Sequence, residues 1–467
     1  MYKNKPTAGT FGARNIIIIA CSALLVMLIA AAVVIGVMSA TGDMEDRSEI
    51  ELKLAELSDK DLGHKYVARH IMEYGIGGFD AAKLRRIENY FASDYPKELP
   101  SVAEMAYKTA SLYVEYYYDN IDNGDKDAVT TALLRCYVES TGDRYAVYRT
   151  AEELEKFDVD MSGEFVGIGV SVMQTLNPTT GKLDEVVVEE VIFGGGAKDA
   201  GIRAGDLIKA VDGRPISEFD RSTLVGAIRG EEGTTVVITI LRGEKIMDFT
   251  CERRKVVEQT VEYKIEDSIG YITVTSFKSN TAGMFAEALR AVKAAGVKGI
   301  IFDLRDNPGG YLDAVLGMLD MIAPSDVTLA SYDYAGGRRE ESKSSGEGTP
   351  LTVPVVVICN ENTASAGELF TAALRDFSDM GLMKTKLVGM KTYGKGIMQS
   401  TRTMLDGSSI TLTTAFYNPP SGVNYDGVGI TPDVVVEVGA GGIDAQMAAA
   451  VVELLRMMGS VDHNSSL

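Results

Sequence analysis

The sequence predicts a multidomain α/β protein with a membrane anchor, and three observations carry that expectation. Between Val256 and Gly439 short apolar runs alternate with segments of helical period, the pattern of a mostly parallel sheet covered by helices. From about Ser162 to Cys251 short alternating strands are separated by glycine turns, which makes a small β-rich domain. Ahead of both lie an uncharged run, Ile16 to Met38, and a charged helical section. A chain of 467 residues, 46% hydrophobic and 24% charged, is long and apolar enough for several cores. The expected boundaries are a tail over 1–15, an anchor over 16–38, a helical region over 39–160, the β-rich domain over 161–255, the α/β core over 256–440, and a C-terminal helix and tail over 441–467.

Charge and cysteine usage exclude several classes of function. A formal net charge of -20 argues against tracking nucleic-acid phosphates or anionic headgroups, which needs clustered Lys and Arg. Of the four cysteines, Cys21 lies in the apolar run, and Cys136, Cys251 and Cys359 are far apart with no C-x-x-C pair. That excludes a zinc ribbon and a disulfide scaffold, and no metal or cofactor is expected.

The anchor follows from length and flanking charge. At about 1.5 Å per helical residue, Ile16 to Met38 covers roughly the 30 Å of a bilayer core. Lys3, Lys5 and Arg14 precede it and Asp43, Glu45 and Asp46 follow it, so the positive-inside rule puts 1–15 in the cytoplasm and everything after about residue 40 outside. A cleaved signal peptide ending near "VMSAT" is the rival, but its apolar region would be shorter, ~7–15 residues. The single-pass anchor is the favoured reading.

In the helical arm, "SVAEMAYKTASLYVEYYYDNI" and "DAVTTALLRCYVES" carry apolar residues at helical spacing on either side of the loop "DNGDKD". The run Tyr113, Tyr116, Tyr117 and Tyr118 is expected to pack rather than to bind a ligand.

The β-rich domain has a recognisable order. "GEFVGIGVSVM" is a Gly-x-Gly turn entering a strand, and "AGIRAGDLIKAVDG" follows downstream. Together they resemble a PDZ domain. In that family a glycine-rich loop offers backbone N–H groups to a peptide's C-terminal carboxylate, and the adjacent strand edge pairs with the peptide. The resemblance puts that loop on Phe165, Val166, Gly167, Ile168, Gly169 and Val170.

In the core, "IGYITVTSF", "KGIIFDLRDN" and "VPVVVICN" read as strands, and "TAGMFAEALRAVKAAG" and "GYLDAVLGMLDMIAP" as helices, the second ended by Pro324. "NTASAGELF" then sets Ser365 on a loop after a strand and before a helix, where functional residues of such folds gather. A serine hydroxyl needs a base to take its proton. The chain's three histidines, His64, His70 and His463, lie outside the strand–helix core, which disfavours a Ser-His-Asp triad. A desolvated lysine can serve instead, because burial disfavours the ammonium. "GMKTYGKGIMQS" puts Lys395 between two glycines and Gln399 four residues on; if a strand follows Gly396, both lie on one face and the amide can orient the amine. The same stretch fits G-x-x-x-x-G-K, but Gly396 stands where a phosphate loop needs Ser or Thr, so nucleotide binding is rejected. "DLRDNPGG" forms a tight turn after a strand, suited to an oxyanion together with the N–H of Ala366, although such turns are more often only turns.

Seven stretches in order, "TGDRYAVY", "GEFVGIGV", "AGIRAGDLIKAVDG", "DLRDNPGG", "NTASAGELF", "GMKTYGKGIMQ" and "PPSGVNYDGVGITPDVVVE", resemble the carboxyl-terminal processing peptidases, tethered or secreted serine proteases of bacteria and plastids. The resemblance runs from about Ala128 to Val438. It implies a ββα-type Ser/Lys peptidase core with Ser365 as nucleophile, Lys395 as general base and Gln399 as orienting amide. Ala366 and one of Gly309 and Gly310 become the oxyanion donors. The partners implied are peptides or proteins entering by their C-termini, with a homo-oligomer left open. Two departures stand out: "RDFSDMGLMKTKLVG", between serine and lysine, is several residues longer than usual, and nothing before Ala128 matches. The alternative reading is a catalytically silent PDZ scaffold that binds peptide C-termini.

Overall fold

The computed structural model describes residues 79–177, 180–192, 194–437, 439 and 444–459. The anchor expected over 16–38 and all three histidines lie outside the described residues. Among the described residues no helix is long and apolar enough to cross a membrane. The described residues divide into two compact units: the larger takes 155–330, 341–396 and those from 418 to 459, and the smaller takes 79–154 together with 331–340 and 397–417.

The core of the larger unit is a six-stranded sheet in the order Val261–Glu266, Ile269–Val274, Gly299–Asp303, Val355–Cys359, Thr385–Gly389, Val434–Val435. The first pair is an antiparallel hairpin and the rest pair in parallel, as the alternation of strands and helices predicts. "GIIFD" and "VVVIC" are buried at every position because both faces of a parallel sheet are covered. On one face Ile301, Val356, Ile358 and Val388 pack against Ala450 and Leu454 of the helix Ala445–Met457. On the other, the ring of Phe302 meets Phe285 at 5.8 Å and Phe370 at 5.3 Å, from the helices Thr281–Ala294 and Ala366–Asp379. The C-terminal helix is also clamped electrostatically. The guanidinium of Arg305 donates to Asp303 (2.6 Å) and to both carboxylate oxygens of Asp444 (2.8 and 2.9 Å), the N-cap of that helix.

The β-rich domain belongs to the same unit. Its sheet runs Val170–Leu176, Leu183–Val191, Leu207–Val211, Thr235–Arg242, Lys245–Glu252, with Glu164–Gly167 paired separately to Arg254–Val257. Two helices, Gly196–Ala200 and Arg221–Ile228, close it over a core of Val186, Val188, Leu224, Ile238 and Ile240.

The smaller unit departs from the expected layout. Its helices Ala81–Asp94, Val102–Tyr116 and Lys126–Ser140 start at Asp80, Ser101 and Asp125, each capping backbone N–H groups of the first turn. Val102–Tyr116 and Lys126–Ser140 share one core between themselves, through Leu112, Tyr113, Val129, Leu133 and Cys136, but a second core needs more than the helices. Leu84, Ile87, Phe91, Leu134 and Tyr137 pack against Met404, Ile410 and Leu412 from the antiparallel strands Ile397–Thr403 and Ser409–Asn418. An amphipathic helix must bury its apolar stripe on something, and here the something returns from far along the chain. The tyrosine run behaves as packing at Tyr113, which is 1% exposed and donates its hydroxyl to Asn123, whereas Tyr116 is 54% exposed.

Candidate active site

The serine segment and the "DLRDNPGG" turn leave the C-terminal ends of the adjacent parallel strands Val355–Cys359 and Gly299–Asp303. Side chains then stitch the two loops together. Asp306 Oδ1 accepts from Asn360 Nδ2 (2.9 Å) and Asn362 Nδ2 (2.8 Å), Thr363 Oγ1 donates to Leu304 O (2.7 Å), and Ala364 N–H donates to Asn307 O (2.9 Å). The two amides hold the Asp306 carboxyl below its ordinary pKa.

Ser365 sits where that stitching ends. Half-buried, it is the N-cap of Ala366–Asp379 and has φ 54° and ψ -118°, a backbone region that costs a non-glycine residue about 1–3 kcal/mol. The two sequence readings of Ser365, helix start and nucleophile position, therefore describe one residue. The residue that holds it there escaped the sequence reading. Glu368, fully buried, accepts at Oε2 from Ser365 N–H (3.0 Å) and Lys395 N–H (2.8 Å), and at Oε1 from Thr392 Oγ1 (2.5 Å) and Gly394 N–H (2.7 Å). Ser365 and Lys395 thus hang from one carboxylate oxygen, their backbone nitrogens no further apart than those two bonds laid end to end. Burial pushes the Glu368 pKa up, while the four donors act the other way. With donors on both oxygens, and the Thr392 hydroxyl itself accepting from Ile430 N–H (2.7 Å), the ionised form fits the site.

The glycine turn lies directly over the serine. A Cβ on Gly309 would fall 2.7 Å from Ser365 Cβ and 2.9 Å from Ala366 N, and φ there is +97°, so only glycine fits. Its own N–H is taken by Asn307 Oδ1 at 2.8 Å. The N–H groups of Gly310 and Ala366 have no acceptor among the described residues, and Ala366 opens the helix, where unpaired N–H groups carry partial positive charge.

Lys395 is half-buried in a segment with no regular structure. The 424–430 loop braces it: Asn424 Nδ2 donates to Gly396 O (2.8 Å) and Gly427 N–H to Gly394 O (2.9 Å). A strand, not a helix, follows Lys395, so the phosphate-loop match has no helix N-terminus behind it. Gln399 lies on that strand, in the other unit. Its Nε2 donates to Ile397 O (3.2 Å) and Thr413 Oγ1 (3.4 Å), and a register shift between Met398 and Gln399 breaks the simple two-residue alternation. The long segment between serine and lysine runs through the end of the 366–379 helix, the turn after it and the strand Thr385–Gly389.

In the small β domain, Phe165, Val166 and Gly167 end the strand Glu164–Gly167, Ile168 and Gly169 turn, and Val170 opens the next strand. Gly169 needs its φ of +75°, since a Cβ would meet the Gly195 backbone at 2.8 Å. The carbonyls of Ile168 and Gly169 accept from Ala197 and Ile192 N–H, while their own N–H groups donate to nothing among the described residues. The Ile168 side chain is 1% exposed, so the loop offers a ligand only that residue's backbone. Phe165 lies under the guanidinium of Arg229, 4.8 Å from its ring centre.

The described thiols are poor rival nucleophiles. Cys136, Cys251 and Cys359 are buried, and desolvation pushes their pKa values up to about 12, 11 and 12.

Comparison with known proteins agrees with the order of motifs. Residues 268–436 match the model of peptidase family S41 and residues 166–252 that of the PDZ domain. A "Probable CtpA-like serine protease" of Staphylococcus haemolyticus (strain JCSC1435) is 34% identical over 330 residues, 69% of this chain and 64% of that protein. One of the same description from Staphylococcus aureus (strain MSSA476) is 32% identical over 365 residues, 78% of this chain and 66% of that protein. The chain therefore spans just under two thirds, 64% and 66%, of these relatives' length. Among solved structures, the photosystem II D1 C-terminal processing protease is 24% identical with a TM-score of 0.47, covering 76% of this chain and 91% of that one.

Proposed function

We propose that this chain, a relative of the S41 peptidases, is a membrane-anchored serine endopeptidase that takes proteins by their C-termini. The observation that carries the reading is the shared tether: Ser365 and Lys395 hang from one oxygen of Glu368, beneath a glycine turn that only glycine can form. In this reading Ser365 Oγ attacks the scissile carbonyl and Lys395 accepts its proton. The oxyanion is met by the N–H groups of Ala366 and Gly310, because that of Gly309 is already engaged by Asn307. Lys395 returns the proton to the leaving amine, then draws one from the water that hydrolyses the acyl-enzyme and passes it to Ser365 Oγ as the acyl bond breaks. The orienting amide is assigned to Gln399 by the family resemblance alone.

Recognition of the substrate end is assigned to the loop Phe165–Val170, whose unused N–H groups suit a carboxylate. A peptide with an apolar, free C-terminus should be cut by the full chain and not by Ser365→Ala. The same peptide amidated should bind about tenfold more weakly and be cut more slowly. Equal cleavage of acid and amide would take the loop out of recognition, and cleavage by Ser365→Ala would take the serine out of the chemistry.

The anchor over 16–38 puts the peptidase outside the cytoplasm in the same proposal. Alkaline phosphatase fused to the C-terminus should be active; an inactive fusion beside a working cytoplasmic reporter would reverse the topology.

A further inference from the structure

Among the described residues the strand Val170–Leu176 pairs on one side with Leu183–Val191 and ends its sheet, so its other edge is open to an added strand. The register shift between Ser171 and Val172 is taken up by Glu189 on the partner strand, which leaves the open edge regular from Val170 to Gln174. Arg221, first residue of the helix Arg221–Ile228, reaches across to this strand, where its Nη2 donates to Gln174 O at 3.5 Å. That length is the weak limit of a hydrogen bond, and the acceptor is a neutral carbonyl. A carboxylate would hold the same guanidinium through two short charge-assisted bonds. The local charge favours such an exchange. The strand "VSVMQTL" is uncharged, and the neighbouring acid, Asp220, is committed to capping Thr223 N–H (2.9 Å) and to Lys182 (3.8 Å).

From these contacts we propose that Arg221 makes the groove select C-termini with an acidic side chain at the fifth residue from the end. The inference rests on the carboxylate-loop reading above. A peptide whose carboxylate is held at Ile168 and Gly169 runs antiparallel to the strand, its last residue opposite Val170, its third from last opposite Val172 and its fifth from last opposite Gln174. At about 3.3 Å per residue the fifth lies roughly 13 Å from the loop, where Arg221 stands. The apolar tail and the acidic side chain then report to different parts of the domain.

The test is the binding of fluorescent ten-residue peptides to the full chain carrying Ser365→Ala, which prevents turnover. The peptides share an apolar free C-terminus and differ only in Glu, Gln or Lys at the fifth residue from the end. Glu should bind about fivefold tighter than Gln, with Lys weakest. Arg221→Gln should bring Glu and Gln within about twofold of each other, and Arg221→Glu should reverse the order in favour of Lys. Equal binding of Glu and Gln by the parent chain overturns the role of Arg221, as does a preference for Glu that survives Arg221→Gln. An amidated Glu peptide separates the two layers. If it binds as well as the free acid, the carboxylate-loop reading fails and the register argument with it; if it binds worse while Glu and Gln tie, only the Arg221 inference is lost.

Discussion

Lys395→Ala is expected to fold like the parent chain and to cut no peptide. The side chain's contribution in the proposed chemistry is a proton accepted from Ser365 Oγ, and alanine has nowhere to put one. The tether to Glu368 runs through the Lys395 backbone N–H, so the substitution leaves the frame of the site in place. Loss of cleavage should reach on the order of 10⁴-fold or more. Lys395→Arg should fail as well, since a guanidinium keeps its charge at any working pH. Ser365→Ala combined with Lys395→Ala should be little worse than either alone, because a nucleophile and its base act as one unit. Peptide cleavage, with circular dichroism as the folding check, decides the matter. A folded Lys395→Ala protein within about tenfold of the parent, ~1.4 kcal/mol in barrier height, would assign the base elsewhere.

The second large effect is expected at Glu368, which touches no substrate. Glu368→Gln replaces an acceptor-only group by one with an NH₂ that must face at least one of the N–H donors it now satisfies. An unsatisfied buried donor costs about 1–3 kcal/mol, and here the loss falls on Gly394 N–H or on the N–H groups of Ser365 and Lys395, according to which way the amide turns. The strained φ of 54° at Ser365 then has less to hold it. Cleavage should fall about 10- to 10²-fold in kcat with little change in KM, and fluorophosphonate labelling of Ser365 should slow in parallel. A folded Glu368→Gln chain that is labelled and cuts within threefold of the parent would reduce the carboxylate to a helix cap. The shared-oxygen argument would then fall.

How far the sequence reveals all this depends on how local each determinant is. The order of strands and helices in the core was legible because periods of 2 and 3.6 are properties of short windows; "VPVVVICN" becomes Val355–Cys359 and "GYLDAVLGMLDMIAP" becomes Leu312–Ile322. Ser365 was legible as a position after a strand, and S-x-x-E was there to be read as a helix start. The second task of Glu368 was not, because its partners lie 24 to 27 residues downstream and meet it only once two loops converge. The competition at Gly309 was hidden for the same reason: a Pro-Gly turn shows that N–H groups will be exposed, not that Asn307 will claim one of them. What the helical arm packs against was not legible, because helical period tells which face is apolar and nothing about what covers it.

That last point bears on how such a chain can be inherited or cut. A breakpoint near residue 154 looks clean along the sequence, between a helical region and a β domain. In space it would part Leu84, Ile87 and Phe91 from Met404, Ile410 and Leu412, and Asp94 from Arg402, 308 positions away. The arm is thus not an exchangeable module: a recombinant that swapped it without residues 397–417 would present two mismatched halves of one core. The hairpin that must travel with it begins two residues after Lys395, so the arm's ancestry is tied to that of the Lys395 segment.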